Sequence, residues 1–242
     1  MNIQSMAAEG GVPTVAQWAI DHPGALSVFT KYNIDYCCGG HRSLEEACVR
    51  VGLDPVMIAA EIRQAAPSAG GQVLRPETWG SALLADFIVQ QHHAYVRHAI
   101  PELDALTERV CERHGHDTPA LIPIREAFLA LAEELSAHME KEELILFPTI
   151  KRLEEAEAVP EHQHPIERML QAPIAAMEDE HEAAGNLIKQ IRALSANYTP
   201  PEFACATFRI TFQRLREFDE DLMRHIHLEN NILFERFKRA WV

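Results

Sequence analysis

Hydrophobic residues along most of this chain recur at three- and four-residue steps, and alternating Val/Ile/Thr runs are lacking, so the pattern predicts an all-α protein. One template occurs twice. Leu135, His138, Glu142, Ile145, Leu146 and Phe147 share their spacing with Leu222, His225, Glu229, Ile232, Leu233 and Phe234. A step of four sets His and Glu one turn apart on one helix face. That face also carries Leu131, Leu135 and Ile145 in the first copy and Phe218, Leu222 and Ile232 in the second, so both polar pairs are expected to point into a core. A buried carboxylate beside a buried imidazole is costly unless both are satisfied, and a metal ion does this directly. One such pair alone would read as an ordinary helix contact; two copies at matched offsets point to a site.

Two further histidines extend the repeat. His93 precedes His138 by 45 residues and His181 precedes His225 by 44. Each lies on its own apolar stripe: Val89, His93, Val96 and Ile100, then Met177, His181, Ala184 and Ile188. Each half reads as a helical hairpin, and two hairpins make a four-helix up-down bundle. His92 lies about 100° around the helix from His93, and His93 is the preferred candidate. Helices are expected from about Ser81 to Arg113, bent or shortened at Pro101, and from the 119–123 region through Glu142, distorted near Pro148. The third should run from Pro173 to near Asn197, and the fourth from Pro200 and Pro201 to the C-terminus. His98, His114 and His116 fall on the polar side or in a loop, Glu133, Glu134, Glu140 and Glu143 read as a solvated acidic surface, and His227 must point away from the centre that His225 reaches. His162 and His164, in the connection between the second and third helices, are a weaker candidate for metal delivery.

Ahead of the bundle the pattern shortens. Residues 1–12 read as disordered; Thr14 caps a first helix, Pro23 opens a second, Ser43 and Glu46 form a capping box for a helix through Leu44, Ala47 and Val49, and Asp54-Pro55 starts one ending near Gln64. Between the second and third helices stands Cys37-Cys38-Gly39-Gly40. Glycines allow backbone angles that other residues resist, so the thiols are expected at an exposed turn. The sharper reading of Cys37 and Cys38 is redox or metal chemistry: adjacent cysteines can close only a strained, easily reduced ring, which suits a switch, and the two are the candidate catalytic pair for redox or NO handling. The bland alternative is two small buried residues beside a turn. They are not a C-x-x-C pair, and nothing completes a four-cysteine site. Cys48, Cys111 and Cys205 read as core filler. The stretch Pro67-Ser68-Ala69-Gly70-Gly71 reads as a linker, giving a small helical domain over 1–66, a linker over 67–78 and the bundle over 79–242.

At 242 residues and 47 % hydrophobic, the chain can hold one sizeable core and a small extra domain. Its net charge is −14, about −12 of it beyond residue 75, which repels nucleic acid. No apolar run has membrane-span length and the N-terminus lacks a basic start and an apolar signal core, so no membrane partner is expected. With five cysteines in no disulfide framework, a cytoplasmic protein is expected.

The four histidines and two glutamates exceed what one ion needs. Two ions sharing the glutamates, with a bridging oxide or hydroxide and an open position for a small molecule, use them economically. Mixed nitrogen and oxygen ligation without thiolate fits iron best, then manganese, then zinc. Such a centre can bind or reduce O2, peroxide or NO, or hold iron for transfer.

These residues resemble the bacterial repair-of-iron-centres family, hemerythrin-like di-iron proteins with a small N-terminal Cys-Cys domain. The resemblance rests on Asp35-Tyr36-Cys37-Cys38-Gly39-Gly40 and on the runs from His138 to Pro148 and from His225 to Asn231, and it covers nearly the whole chain. It implies a hemerythrin-like four-helix bundle with two iron ions, oxo- or hydroxo-bridged, on His93, His138, Glu142, His181, His225 and Glu229. It also implies repair of iron-sulfur proteins damaged by nitric oxide or oxidative stress, by supplying iron. The enzymatic alternative is reduction of NO to N2O at the centre; the non-catalytic one is an O2- or NO-sensing hemerythrin-like protein. The oxygen carriers have an aspartate five positions after the last histidine, where Asn230 stands here, which argues against reversible oxygen carriage. Whether the small domain docks onto the bundle or pairs with another copy in a homodimer stays open.

Overall fold

The structure, a computed structural model, describes residues 12–65, 74–156 and 169–238. The expected disorder over the first eleven residues, the Pro67–Gly71 linker and the His162/His164 pair lie outside the described residues. The chain divides into two compact units, one of residues 1–79 with 226–235 and the other of residues 80–225 with 236–242.

The first unit opens with four short helices, α1 (Val15–Asp21), α2 (Ala25–Lys31), α3 (Leu44–Val51) and α4 (Pro55–Gln64). Their starts follow the local chemistry. Thr14 Oγ1 accepts from Gln17 N at 3.2 Å, both halves of the Ser43/Glu46 capping box form, and Asp54 accepts from Val56 N in front of Pro55. Val15, Trp18, Val28, Phe29, Ile58 and Ile62 form the core. On α3 the buried stripe runs through Leu44, Ala47 and Cys48, and Val49 is exposed because it lies a further 100° around. Cys48 is core filler as read; Cys205 is exposed, since it stands just ahead of a helix start rather than within one.

The second unit is built on long helical runs. The first run is α5 (Ser81–Phe87), a π turn (Ile88–His93) and α6 (Ala94–His114). The second is α7 (Leu121–Lys141), a π turn (Glu142–Leu146) and α8 (Phe147–Ala156). The third is α9 (Gln171–Leu194) and the fourth starts as α10 (Ala206–Leu228), continuing through a π turn (Glu229–Leu233) into α11 (Phe234–Lys238). Their order is up-down. α5 packs on α8 and α6 on α7, so the first two runs are antiparallel. Ser81 meets Arg236, His92 meets Asp221 and Glu102 meets Arg214, so the first and fourth are antiparallel. Glu178 with Lys238 and Arg192 with Asp219 set the third against the fourth in the same way. Leu84, Leu103, Phe128, Leu131, Phe208 and Phe218 fill the interior, each about 1.5–3 kcal/mol of burial if fully withdrawn from water. No helix among the described residues is long and apolar enough to cross a membrane.

Four expectations change in detail. The first run continues through Pro101 to His114 without being shortened. The second carries its distortion immediately before Pro148, as a π turn. Proline has no N–H for the carbonyl four residues earlier, and the wider turn absorbs that loss. A π turn also adds a residue to the register, so Ile145 rotates outward to 60 % exposure while Leu146 and Phe147 take its place inside. The fourth run starts at Ala206, later than the prolines suggest, because residues 195–204 are spent on a tight crossover. Ala196, Asn197 and Tyr198 adopt φ of 49°, 56° and 59°, a region that side chains resist.

Asp219 holds that crossover. It accepts from Arg192 Nε and Nη2, both at 2.6 Å, and from the Tyr198 hydroxyl at 2.7 Å, in a buried setting that pushes the tyrosine pKa far up. Replacing Asp219 with Ala should break a largely buried ion pair and cost about 3–5 kcal/mol, read as a lower urea midpoint. A midpoint equal to that of the parent chain would show that the crossover is held by packing alone.

Candidate metal centre

Helix spacing puts His138 and Glu142 one turn apart at the end of α7, and each is buried. His93 closes the π turn of the first run, His181 lies in mid-α9 and His225 near the end of α10. The structure brings these five together. The ligand atoms of His93, Glu142 and His225 lie within 4.8 Å of one another, as do those of His138, Glu142 and His181. Glu142 Oε2 is 3.3 Å from His93 Nε2 and 3.4 Å from His138 Nε2, so one carboxylate serves two triads. The histidines meet in pairs, Nε2 to Nε2, at 3.2 Å for His93 with His225 and 3.0 Å for His181 with His138. Glu229 is fully buried and follows His225 by one turn on the same helical run.

Carboxylates behind the rings set their protonation. His93 Nδ1 lies 2.7 Å from Glu143 Oε1, and His138 Nδ1 lies 2.9 Å from Glu180 Oε2. A carboxylate can only accept, so each Nδ1 carries the proton and each Nε2 lone pair faces inward. Arg97 donates to the same Oε1 of Glu143 that faces His93, and Lys141 donates to the other oxygen of Glu180, Oε1. Although burial pushes both acids up, the hydrogen bonds from His93 and Arg97 keep Glu143 below the ordinary carboxylate range, and those from Lys141 and His138 do the same for Glu180. Glu143 is therefore part of the site and not the solvated surface that its position beside Glu142 suggested. The π turn starting at Glu142 is the reason, since it turns consecutive glutamates toward the first helical run.

His92 is likewise more than a neighbour. The π turn that ends at His93 buries both rings, with His92 Nδ1 3.0 Å from Asp221 Oδ1 and its ring stacked 5.5 Å from that of His225. Adjacent histidines on a regular helix would diverge, so only a proline or a known π bulge could have signalled this. His98 and His116 are exposed, as read.

These residues fit a metal. Inward lone pairs on His93 and His138, the facing imidazoles of His225 and His181 and a carboxylate between them, all buried, are the donor set that divalent transition metals take. An open cavity of about 590 Å³ adjoins His138 and His181, and its rim carries Glu133, Glu134, Asp179 and Glu180. The exposed acids of the second helix thus line a mouth that attracts cations.

The Cys-Cys segment belongs to the first unit. Cys37 is buried, against the expected exposed turn, and Cys38 is half-buried. Their sulfurs are 3.6 Å apart, and Cys37 Sγ is 3.3 Å from Asp35 Oδ1. Cys38, burial and Asp35 push the Cys37 thiol well up, so without a cation it stays protonated. Neither Gly39 nor Gly40 has a positive φ; both are needed for close approach. A Cβ on Gly39 would meet Asp35 O at 2.7 Å and one on Gly40 would meet Asn231 Oδ1 at 2.5 Å. Asn231 Nδ2 donates to the carbonyls of Tyr36 and Cys37 at 3.0 and 3.2 Å and lies 3.0 Å from His227 Nδ1. His227 stacks edge-on to Tyr36 and burial lowers its pKa to about 4, a backbone hydrogen bond to Tyr36 opposing, so it is a neutral structural ring.

Comparison with known proteins agrees with this layout. Residues 12–66 match the family described as a domain of unknown function, DUF542, and residues 85–237 match the hemerythrin HHE cation binding domain. The chain is 39 % identical over 226 residues to the iron-sulfur cluster repair protein YtfE of Shigella boydii serotype 4 and to that of Escherichia coli O157:H7, with 92 % of this chain and 94 % of each relative covered.

Glu143→Ala should release His93 from its single tautomer and weaken metal retention about 10–100-fold, measured by competition with a chelator, while Glu143→Gln, which keeps an acceptor, should fall between. An unchanged affinity in Glu143→Ala would return Glu143 to the role of a surface acid.

Proposed function

We propose a function for a chain that belongs to the iron-sulfur cluster repair family, in which a DUF542 domain is joined to a hemerythrin HHE domain: it restores iron-sulfur clusters damaged by nitric oxide or oxidative stress, by supplying iron. The observation that carries this reading is the pair of buried triads sharing Glu142 beside an acid-rimmed cavity. His93, His138, Glu142, His181, His225 and Glu229 would hold two iron ions with an oxo or hydroxo bridge. When bound, the ions supply a redox-active pair able to bind small diatomic molecules such as NO and O2. Glu229 enters this set because it is buried and shares the inward face of His225.

Each protein group has a task in holding and releasing iron. Glu143 and Glu180 keep the protons of His93 and His138 on Nδ1, so the Nε2 lone pairs stay available. Glu142 offsets cationic charge that a core of imidazoles could not. Glu133, Glu134 and Asp179 draw cations to the mouth, and the Lys141 contact to Glu180 fixes its wall. Damaged iron-sulfur proteins are the partners, and the setting is cytoplasmic.

The test compares two iron sources. Iron-loaded chain should rebuild the cluster of a nitric-oxide-treated client enzyme faster than an equal amount of free ferrous iron; equal rates would remove the proposal, and N2O formed over many turnovers would favour the reductase. Glu142→Ala should reduce bound iron from about two per chain to nearly none by metal analysis. Full retention in that variant would show that Glu142 is not the shared ligand.

A further inference from the structure

The first unit contains a donor cluster that shares no residue with the histidine centre. We propose that Asp35, Cys37 and Cys38 form a mononuclear site for a thiophilic divalent cation of the Fe(II), Co(II) and Zn(II) class. The proposal does not depend on the repair reading.

The geometry carries it. The carboxylate and the two sulfurs lie within 4.8 Å of one another, with sulfur to sulfur at 3.6 Å and Cys37 Sγ to Asp35 Oδ1 at 3.3 Å. A tetrahedral ion with sulfurs at about 2.3 Å and oxygen at about 2.0–2.2 Å requires its ligand atoms to be roughly 3.5–3.8 Å apart. The sulfur to sulfur edge falls inside that range, the Cys37 to Asp35 edge is slightly shorter, and the third edge is under 4.8 Å. A disulfide would instead need the sulfurs at about 2.05 Å.

The cluster is held from behind. Asp35 Oδ1 accepts from Cys38 N at 3.1 Å and Gly39 N at 3.0 Å, which fixes the carboxylate over the turn. Asn231 fastens the Tyr36 and Cys37 carbonyls, Gly40 lies flush against that side chain, and Gly40 O accepts from Ala16 N at 2.9 Å. Cys37 is buried and Cys38 half-buried, so the site is open on one side, where a fourth, exchangeable ligand can enter. Two soft sulfurs exclude Mg(II) and Ca(II), and one hard carboxylate favours a borderline ion over Cu(I). When the ion binds, each thiol gives its proton to solvent and the metal keeps its oxidation state.

Co(II) is the probe, because thiolate ligation gives a near-ultraviolet charge-transfer band that imidazole and carboxylate ligands do not. Titrating Co(II) into the reduced full chain should produce one such band, saturating at one thiolate-bound ion per chain beyond what the histidine centre takes up. Cys38→Ser, at a partly exposed position, should abolish it, and so should Cys37→Ser. Asp35→Asn, which keeps the acceptor for the two backbone N–H groups, should weaken it at least about tenfold. Circular dichroism should be unchanged in all three. Absence of the band in the parent chain, its survival in Cys38→Ser, or equal affinity in Asp35→Asn would each overturn the site.

Discussion

The structure depends on burying Glu142 among imidazoles. A carboxylate with no exposure, 3.3–3.4 Å from the Nε2 atoms of two histidines, is tolerable in a helix core only if positive charge stands beside it. Protonated imidazoles could supply that charge, but their inward nitrogens already confront one another at 3.0 and 3.2 Å. A metal ion satisfies carboxylate and lone pairs together. The rest of the second unit serves this constraint: apolar Phe128, Leu131 and Phe218 exclude water, and Glu143 and Glu180 supply anions behind the rings.

The π turns are where the helices yield to that demand. One ends at His93, one begins at Glu142 and one begins at Glu229. Each wide turn weakens local hydrogen bonding and adds a residue to the register. In exchange it aims residues that a regular helix would separate: His92 with His93, and Glu142 with Glu143. Pro148, two residues past Leu146, is compatible with such a turn because its missing N–H removes a bond that a regular helix would have made.

In the first unit the corresponding constraint is close approach. The Asp35 carboxylate gathers two backbone N–H groups and a thiol within 3.3 Å, and Gly39 and Gly40 let carbonyl and amide groups come nearer than any side chain permits. A turn so crowded places its sulfurs reproducibly.

Helical periodicity in the sequence by itself determined the all-α class, the up-down order of the long helices, and the inward face of His138, Glu142, His181 and His225, because a four-residue step is a local property of the backbone. Caps at Thr14, Ser43 and Asp54 were legible for the same reason. Only the tertiary structure decided that Glu143 and His92 reach the site, that Ile145 turns outward and that Cys37 is buried. Those outcomes follow from π turns and from packing against residues far along the chain, such as Asp221 for His92 and Asn231 for the cysteine turn, and no local spacing encodes them.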